Sequence, residues 1–228
     1  MKIKLVVCDL AGTTIRDNQD VHKALQKAML EFGIPISLEE ANDVMGIPKP
    51  LAIRQLLNTR LPQQEINDSF IDRIHEKFVL EMTRFYAQDP AFSEKEGVSE
   101  TFLKLKLNGI KVVVDTGFDR KITNVILERT GWVANGLIDG SVTSDEVAKG
   151  RPHPDLIFKA MELAGVAHAG QVAKVGDTSS DLQEGTSAGC GLVVGVTTGA
   201  FPKEKLMLEK HTHLIQEIPE LAELLGLT

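Results

Sequence analysis

Hydrophobic and polar positions follow two different patterns along the chain. A run of apolar residues, Leu5–Cys8, ends in Asp9 and a turn rich in Gly and Thr, which is typical of a strand buried on both faces. Residues 16–93 carry apolar side chains at helical spacing and show no strand signal. From Gly97 onward, helical patterns alternate with short apolar runs. This order predicts an α/β protein with a parallel sheet.

The segment 16–93 is predicted to be all-helical. Ser37 and Glu40 form a capping box, and Pro50 and Pro62 suit first helical positions, where a backbone N–H would have no partner. The four expected helices cover residues 20–32, 37–46, 50–57 and 62–88. The last one carries an apolar stripe of Ile66, Phe70, Ile74, Phe78, Met82 and Phe85. Such a stripe suits either a homodimer contact or the interior of the segment itself.

The rest of the chain is predicted to supply the remaining strands of the sheet and the helices between them. Strands are expected over residues 110–114, 137–143, 171–175 and 192–196, with a closing segment at 213–216. Helices are expected over residues 98–107, 119–130, 154–164, 181–188 and 219–225. Right-handed crossovers would place the carboxyl ends of successive strands along one edge of the sheet.

Composition narrows the classes of partner. The 228 residues contain 25 Lys and Arg against 32 Asp and Glu, a net charge of −7 without a basic block, so no nucleic-acid partner is expected. No stretch approaches the roughly 20 apolar residues that span a bilayer, and the first residues show no export signal. We therefore expect a cytoplasmic protein without membrane contact, whose two cysteines stay reduced.

Three strand ends carry polar residues at the shared edge. Asp9 follows the first strand, Thr116 the strand at 110–114 and Asp177 the strand at 171–175, and Asp181 lies four residues beyond. Carboxylates gathered in this way repel each other unless a cation is bound. The grouping favours a Mg²⁺ site, and a Mg²⁺ site favours a phosphoryl or similar oxyanion as substrate.

These residues resemble the four ordered motifs of the haloacid dehalogenase superfamily. The motifs are Asp9-x-x-Gly12-Thr13, the strand ending at Thr116, Arg151-Pro152 and Gly176-Asp177-x-x-x-Asp181. The resemblance implies a Rossmann-like catalytic core, residues 1–15 and 94–228, with an inserted all-helical cap domain, residues 16–93. It implies Asp9 as nucleophile and Thr116 and Arg151 as ligands of the phosphoryl group. It also implies substrate contacts at Thr13, Met45 and Gly117, and a Mg²⁺ site at Asp9, Ala11, Asp177 and Asp181, with Asp181 supporting.

Ala11 departs from the pattern of the superfamily's phosphatases. Those enzymes usually carry an Asp at this position, which protonates the leaving alkoxide. An alanine here indicates either a slow, degenerate enzyme or a leaving group that needs no proton on oxygen. The stretch Asp9–Thr14 is similar to the first motif of the phosphonatases, which cleave a carbon–phosphorus bond through an imine on a cap lysine.

Lys49 is the candidate for that lysine. The stretch Met45–Pro50 resembles the corresponding phosphonatase cap segment. A position at a helix N-terminus, under a closed cap and near Mg²⁺, would depress the pKa of Lys49 and favour the neutral amine that imine formation requires. The other interpretation is a solvated lysine or one that pairs with a substrate anion. Ala52 departs from the phosphonatases, which have a His there, so the substrate is left open.

Three functions follow from these residues. The leading one is a Mg²⁺-dependent phosphonatase-like hydrolase that acts on a small carbonyl phosphonate. The second is a phosphatase of the same superfamily that acts on a phosphate monoester. The third is a protein that binds a phosphoryl ligand without turnover, although retention of Asp9, Asp177 and Asp181 speaks against it.

Overall fold

The computed structural model describes residues 2–227. Six parallel strands form one sheet in the order β3-β2-β1-β4-β5-β6. The strands are β1 (Leu5–Asp9), β2 (Lys111–Thr116), β3 (Gly140–Thr143), β4 (Val172–Gly176), β5 (Leu192–Val196) and β6 (His213–Ile215). This is the doubly wound order of a Rossmann-like sheet, so the expected α/β class with a parallel sheet is confirmed.

Four helices occupy the segment between β1 and the second half of the chain. They are α1 (Asp20–Glu31), α2 (Leu38–Asp43), α3 (Lys49–Asn58) and α4 (Asp68–Gln88). The capping box of Ser37 and Glu40 begins α2 as predicted. The expectation that Pro62 begins the fourth helix is wrong: Pro62 precedes a single 3₁₀ turn, and α4 starts after Asn67, whose side chain accepts a hydrogen bond from Phe70 N.

The two ends of the helical segment, residues 16–93, lie next to each other. Ile15 forms an antiparallel bridge with Glu94, and Arg16 N donates to Ser93 O over 3.0 Å. All six strands lie outside residues 16–93. The division into a core and a cap at these boundaries stays a prediction.

Six further helices complete the described chain: α5 (Val98–Leu107), α6 (Arg120–Thr130), α7 (Asp155–Ala164), α8 (Ser179–Ala188), α9 (Lys203–Leu206) and α10 (Pro219–Leu224). Two differ from expectation. Helix α8 begins two residues before Asp181, because Thr178 and Asp181 form a capping box that is not among the predicted helix starts. The short helix α9 was not predicted; its apolar signal is a single buried residue, Leu206.

Alternating residues of β1 belong to the cores on the two faces of the sheet. Leu5 and Val7 pack on the face covered by α7, whereas Val6 and Cys8 join the larger core that continues into the helical segment. The buried face of α4, which includes Ile74, Phe78 and Met82 of the predicted stripe, packs against α1, α3 and α6 of the same chain. A homodimer therefore stays a prediction. Cys8 and Cys190 are free thiols, as expected. No helix within residues 2–227 is long and apolar enough to cross a membrane.

Candidate active site

The candidate site lies where the strand order reverses. Because β2 and β4 flank β1 on opposite sides, a crevice opens at the carboxyl ends of β1 and β4. Asp9 ends β1 and Asp177 directly follows β4. The predicted site residues that line the cavity at this point are Asp9, Ala11, Met45, Lys49, Thr116, Gly117, Arg151 and Asp177. Two others, Thr13 and Asp181, are buried behind it.

Asp9 is held by Arg151. The Arg151 Nη1 atom donates to Asp9 Oδ1 over 2.6 Å, and the arginine side chain is only 1% exposed. Burial raises the pKa of Asp9, and the neighbouring carboxylate of Asp181 acts in the same direction, against the opposing effect of Arg151. The pair therefore places a buried carboxylate beside a permanently charged guanidinium.

A buried ion network lies behind this pair and was not anticipated from the sequence. Lys174, in the middle of β4, is fully buried, with its Nζ 2.6 Å from Asp115 Oδ1, 3.0 Å from Glu184 Oε2 and 3.2 Å from Asp181 Oδ1. Arg151 contacts the same three carboxylates at 2.6–3.0 Å. The sequence signal for this network is a lysine inside an apolar strand. A lysine there would be buried, and a buried lysine rarely lacks a charged partner.

Asp177 is fixed by its surroundings rather than by another charge. Its Oδ1 accepts a hydrogen bond from Thr13 Oγ1 at 2.9 Å, and its Oδ2 accepts one from Ala200 N at 2.6 Å. A Cβ added at Gly12, where φ is +88°, would lie 2.1 Å from Asp177 Oδ2. Thr13 therefore orients the carboxylate instead of lining the cavity, and Gly12 leaves the space that the carboxylate fills.

The donors in the cavity fit a hard divalent cation. Burial raises the pKa of Asp177, and the nearby carboxylates raise the pKa values of both Asp177 and Asp9; a bound cation would offset both effects. Ala11 lines the cavity, and only its backbone carbonyl could serve as a ligand. No three His, Cys, Asp or Glu side chains in residues 2–227 could hold a metal ion by themselves, so water or substrate oxygens would complete the shell, as Mg²⁺ commonly requires.

Asp181 is not among the residues that line the cavity. Its Oδ1 lies 2.9 Å from Arg151 Nη1, and its Oδ2 accepts a hydrogen bond from Thr178 Oγ1 at 2.5 Å. The side chain is completely buried. Both oxygens are thus engaged with the network and the start of α8, which matches a supporting position more closely than a direct ligand.

Lys49 reaches the cavity from the helical segment. It is the first residue of α3 and is 3% exposed. Its ammonium lies 5.9 Å from the centroid of the Phe78 ring and 5.8 Å from that of Phe118. Burial lowers the pKa of Lys49 to about 8, although Asp9 acts to raise it. At the described positions no carboxylate forms an ion pair with this lysine.

Two close loop contacts bring the helical segment over the strand ends. A Cβ added at Gly46, where φ is +80°, would lie 2.2 Å from Thr178 Oγ1. A Cβ added at Gly117 would lie 3.0 Å from Ile47 O. Thr116 is buried beneath this contact, and its Oγ1 accepts a hydrogen bond from Phe118 N at 3.1 Å. Met45, Thr116 and Gly117 therefore meet at the cavity, and their contacts with a substrate stay predictions.

The cavity is also lined by residues for which the sequence predicts no role at the site. They lie in loops, turns or helix starts; Gly46 belongs to the segment Met45–Pro50, and Thr178 occupies a variable position of the motif Gly176–Asp181. They are Asp17, Val21, Gly46, Phe118, Thr178 and Ala200. Asp17 is the one among them with an ionisable side chain, and a carboxylate in a turn before a helix is ordinarily read as a cap.

Comparison with known proteins identifies the family. Residues 6–195 match the model of the haloacid dehalogenase-like hydrolases. The chain is 32% identical over 226 residues to the phosphonoacetaldehyde hydrolase of Bacteroides fragilis, covering 94% of this chain and 82% of that one. Among solved structures, it is similar to a phosphonoacetaldehyde hydrolase-like protein from Oleispira antarctica, with 25% identity, a TM-score of 0.86 and coverage of 99% and 92% of the two chains.

The fold also occurs in a solved structure that is named for a phosphatase. The crystal structure of a phosphoglycolate phosphatase homologue from Lactobacillus delbrueckii subsp. bulgaricus has a TM-score of 0.80 at 18% identity, with 99% of both chains covered. At that identity the likeness concerns the fold alone. With the family match spanning most of the chain, this protein belongs to the haloacid dehalogenase-like hydrolases.

Proposed function

We propose that this hydrolase is a Mg²⁺-dependent enzyme of the phosphonatase type, which cleaves the carbon–phosphorus bond of a small carbonyl phosphonate. The observation that carries the proposal is the position of Lys49, a buried lysine that has no ion-pair partner within residues 2–227 and shares one cavity with Asp9. The names of the curated relatives support the same substrate class. A phosphate ester would give this amine nothing to react with.

In this mechanism Lys49 reacts with the carbonyl end of the substrate, and Asp9 reacts with its phosphorus. The Lys49 amine adds to the carbonyl carbon, and loss of water leaves a positively charged imine. An oxygen of Asp9 then forms a bond to phosphorus, and the electron pair of the carbon–phosphorus bond moves onto the imine to give an enamine. Protonation of the enamine carbon and hydrolysis release the aldehyde from Lys49. Water cleaves the phosphoaspartate, which regenerates Asp9 and yields phosphate.

The remaining residues hold the phosphoryl group and its charge. Arg151 keeps Asp9 in place through the 2.6 Å hydrogen bond, and Thr116 and Gly117 line the same cavity. Asp9, Asp177 and the Ala11 carbonyl would hold Mg²⁺, which supplies charge neutralisation between the nucleophile and the phosphoryl oxygens. Ala11 brings no acid to the leaving group, and a leaving carbon whose electrons move into an imine needs no proton in that step.

The test compares phosphonoacetaldehyde with an aryl phosphate, with released phosphate as the readout. We expect phosphate from phosphonoacetaldehyde in the wild type and its loss by a factor of at least 100 in Lys49→Met. Borohydride should trap a substrate adduct on Lys49, detected as a mass increase of the intact chain. Lys159→Met, at an exposed lysine, is the matched control and should behave as the wild type.

Other outcomes support the two alternatives. Unchanged phosphate release by Lys49→Met, together with strong hydrolysis of the aryl phosphate, would make the protein a phosphate monoesterase. No release from either substrate, with ligand binding retained, would make it a binding protein. Metal-fluoride complexes that mimic the transferring phosphoryl group separate this last case, because a competent nucleophile site should bind them tightly.

A further inference from the structure

The imine chemistry proposed above needs a group that moves protons at the carbonyl end of the substrate. The amine must lose a proton as it adds, and the carbinolamine oxygen must gain one before it can leave as water. Ala11 and Ala52 supply nothing for this. Five ionisable side chains line the described cavity, and three of them, Asp9, Arg151 and Asp177, serve the phosphoryl end. Lys49 is the amine itself, which leaves Asp17.

The Asp17 side chain is held firmly at one oxygen. Its Oδ1 accepts hydrogen bonds from Asp20 N at 2.6 Å and Val21 N at 3.3 Å, at the start of α1. The side chain is 8% exposed. Gln19, in the same turn, has φ of 64°, in the left-handed region that a non-glycine residue rarely adopts. The turn thus fixes one carboxylate oxygen and leaves the other free of backbone partners.

The second oxygen is close to a buried histidine. Asp17 Oδ2 lies 3.9 Å from His22 Nδ1, and His22 is 4% exposed at its side chain. The opposite ring nitrogen, Nε2, lies 3.0 Å from Asn42 Oδ1, an oxygen that only accepts hydrogen bonds, so Nε2 carries a hydrogen. Nδ1 has no hydrogen-bond partner in the described chain. In the neutral ring this nitrogen presents a lone pair towards Asp17.

We propose that Asp17, supported by His22, is the acid–base group that moves protons between Lys49 and the carbonyl oxygen of the substrate. The proposal rests on the proposed imine function. Burial raises the pKa of Asp17, although the backbone amides at the start of α1 act to lower it. A carboxyl of this kind holds a proton more readily near neutral pH than an exposed aspartate does.

The proton transfers balance over the cycle. As the Nζ–carbon bond forms, Asp17 relays one amine proton to the carbonyl oxygen, which becomes a hydroxyl, and then takes up a proton from solvent. Asp17 gives this proton to the hydroxyl as the carbon–oxygen bond breaks, so water leaves and the positively charged imine remains. After Asp9 has taken the phosphoryl group, Asp17, protonated again from solvent, protonates the enamine carbon. Water then adds to the imine, and Asp17 relays one proton of that water to the Lys49 nitrogen and returns the other to solvent as the carbon–nitrogen bond breaks and the aldehyde departs. The second proton taken from solvent is matched by the one released when water cleaves the phosphoaspartate.

A capping role for Asp17 explains its Oδ1 contacts but not its place in the cavity, and two substitutions separate the roles. Asp17→Asn keeps an oxygen that accepts from Asp20 N and Val21 N, and it removes the titrating carboxyl. Asp17→Ala removes both. A pure cap should tolerate the first change in every assay, because Asn and Asp cap helices about equally well.

The experiment measures how fast borohydride-trappable adduct forms in a single turnover of the full chain with phosphonoacetaldehyde and Mg²⁺. We expect a loss of about 100-fold or more in both variants, in the range typical of acid–base groups, with a melting temperature near that of the wild type for Asp17→Asn and a lower one for Asp17→Ala. His22→Gln should slow adduct formation about tenfold, in line with its indirect position. Asp17→Glu should recover part of the rate, because it restores a carboxyl.

Adduct formation in Asp17→Asn within about threefold of the wild-type rate would overturn the role of Asp17. An unchanged rate in His22→Gln would remove His22 from the proposal. Failure of the proposed function shows itself differently, in the wild type: no trapped adduct there, with phosphate still released by Lys49→Met, would reject the imine and this inference with it.

Discussion

Substitution of Lys174 tests whether the buried ion network stabilises the chain. Lys174→Met removes a positive charge that lies 2.6 Å from Asp115, 3.0 Å from Glu184 and 3.2 Å from Asp181. Methionine fills a similar volume without a polar group, so the change isolates the charge. Arg151 then remains as the nearby cation for all three carboxylates and for Asp9 as well.

The expected cost is about 3–5 kcal/mol of the free energy of unfolding, the range for removal of one partner from a buried ion pair. Water cannot replace the lost charge, because the side chains of Lys174, Asp115, Asp181 and Glu184 are completely buried. In a chain of this length, 1 kcal/mol corresponds to about 2–4 °C in the melting temperature. The cost therefore corresponds to a decrease of about 6–20 °C.

Urea unfolding followed by circular dichroism, with a matched thermal scan, measures the effect. Lys159→Met is the control: Lys159 is 43% exposed and its contact with Glu162 lies in solvent, so the change should stay below about 0.5 kcal/mol. Lys174→Met combined with Glu184→Gln should recover part of the loss, with a coupling of about 0.5–3 kcal/mol. A cost below 1 kcal/mol for Lys174→Met alone would refute the reasoning.

Three further predictions concern the site. Because the pKa of Lys49 is lowered to about 8, its neutral fraction rises from about 9% at pH 7 to about 91% at pH 9, so the initial rate of borohydride-trapped adduct should rise roughly tenfold over that range; a flat profile would contradict the lowered pKa. Gly12→Ala should cost about 1–3 kcal/mol of stability and most of the turnover, because the added Cβ would overlap Asp177 Oδ2; wild-type values in chemical denaturation and phosphate release would contradict the contact. Removal of divalent cations with EDTA should abolish phosphate release and leave the circular dichroism spectrum unchanged, and Mg²⁺ should restore activity and raise the melting temperature; full activity in EDTA would exclude the proposed metal requirement.

The sheet was largely predictable because its signals are local. The four main strands are predominantly apolar runs, and each lies within one residue of its predicted position at either end, except that β2 ends at Thr116, two residues later than predicted. The strand predicted over residues 137–143 is shorter in the structure, Gly140–Thr143, because only its last residues pair with β2. The start of α4 was misplaced because Pro62 and Asn67 both carry start signals, and the hydrogen bond of Asn67 to Phe70 N prevails.

Which residues gather at the cavity was largely predictable, and how their side chains are arranged only partly. Asp9 and Asp177 line the cavity as expected, because both end neighbouring parallel strands. Thr13 and Asp181 lie behind it, since Thr13 binds Asp177 and Asp181 binds Arg151. Which oxygen of a carboxylate faces a cavity depends on packing between segments that are distant in the sequence. The spacing of residues along the chain does not predict that packing.

The sequence by itself determined the α/β class, the family and the chemical identity of the strand-end residues, because each depends on short patterns whose period or order is visible in the chain. Tertiary packing decided what those residues face. It brought Lys49 from α3 to the carboxyl end of β1 and buried it there, which lowers its pKa by desolvation. It enclosed Lys174 among three carboxylates, and it placed Asp17, a turn residue by its sequence, in the same cavity as the amine.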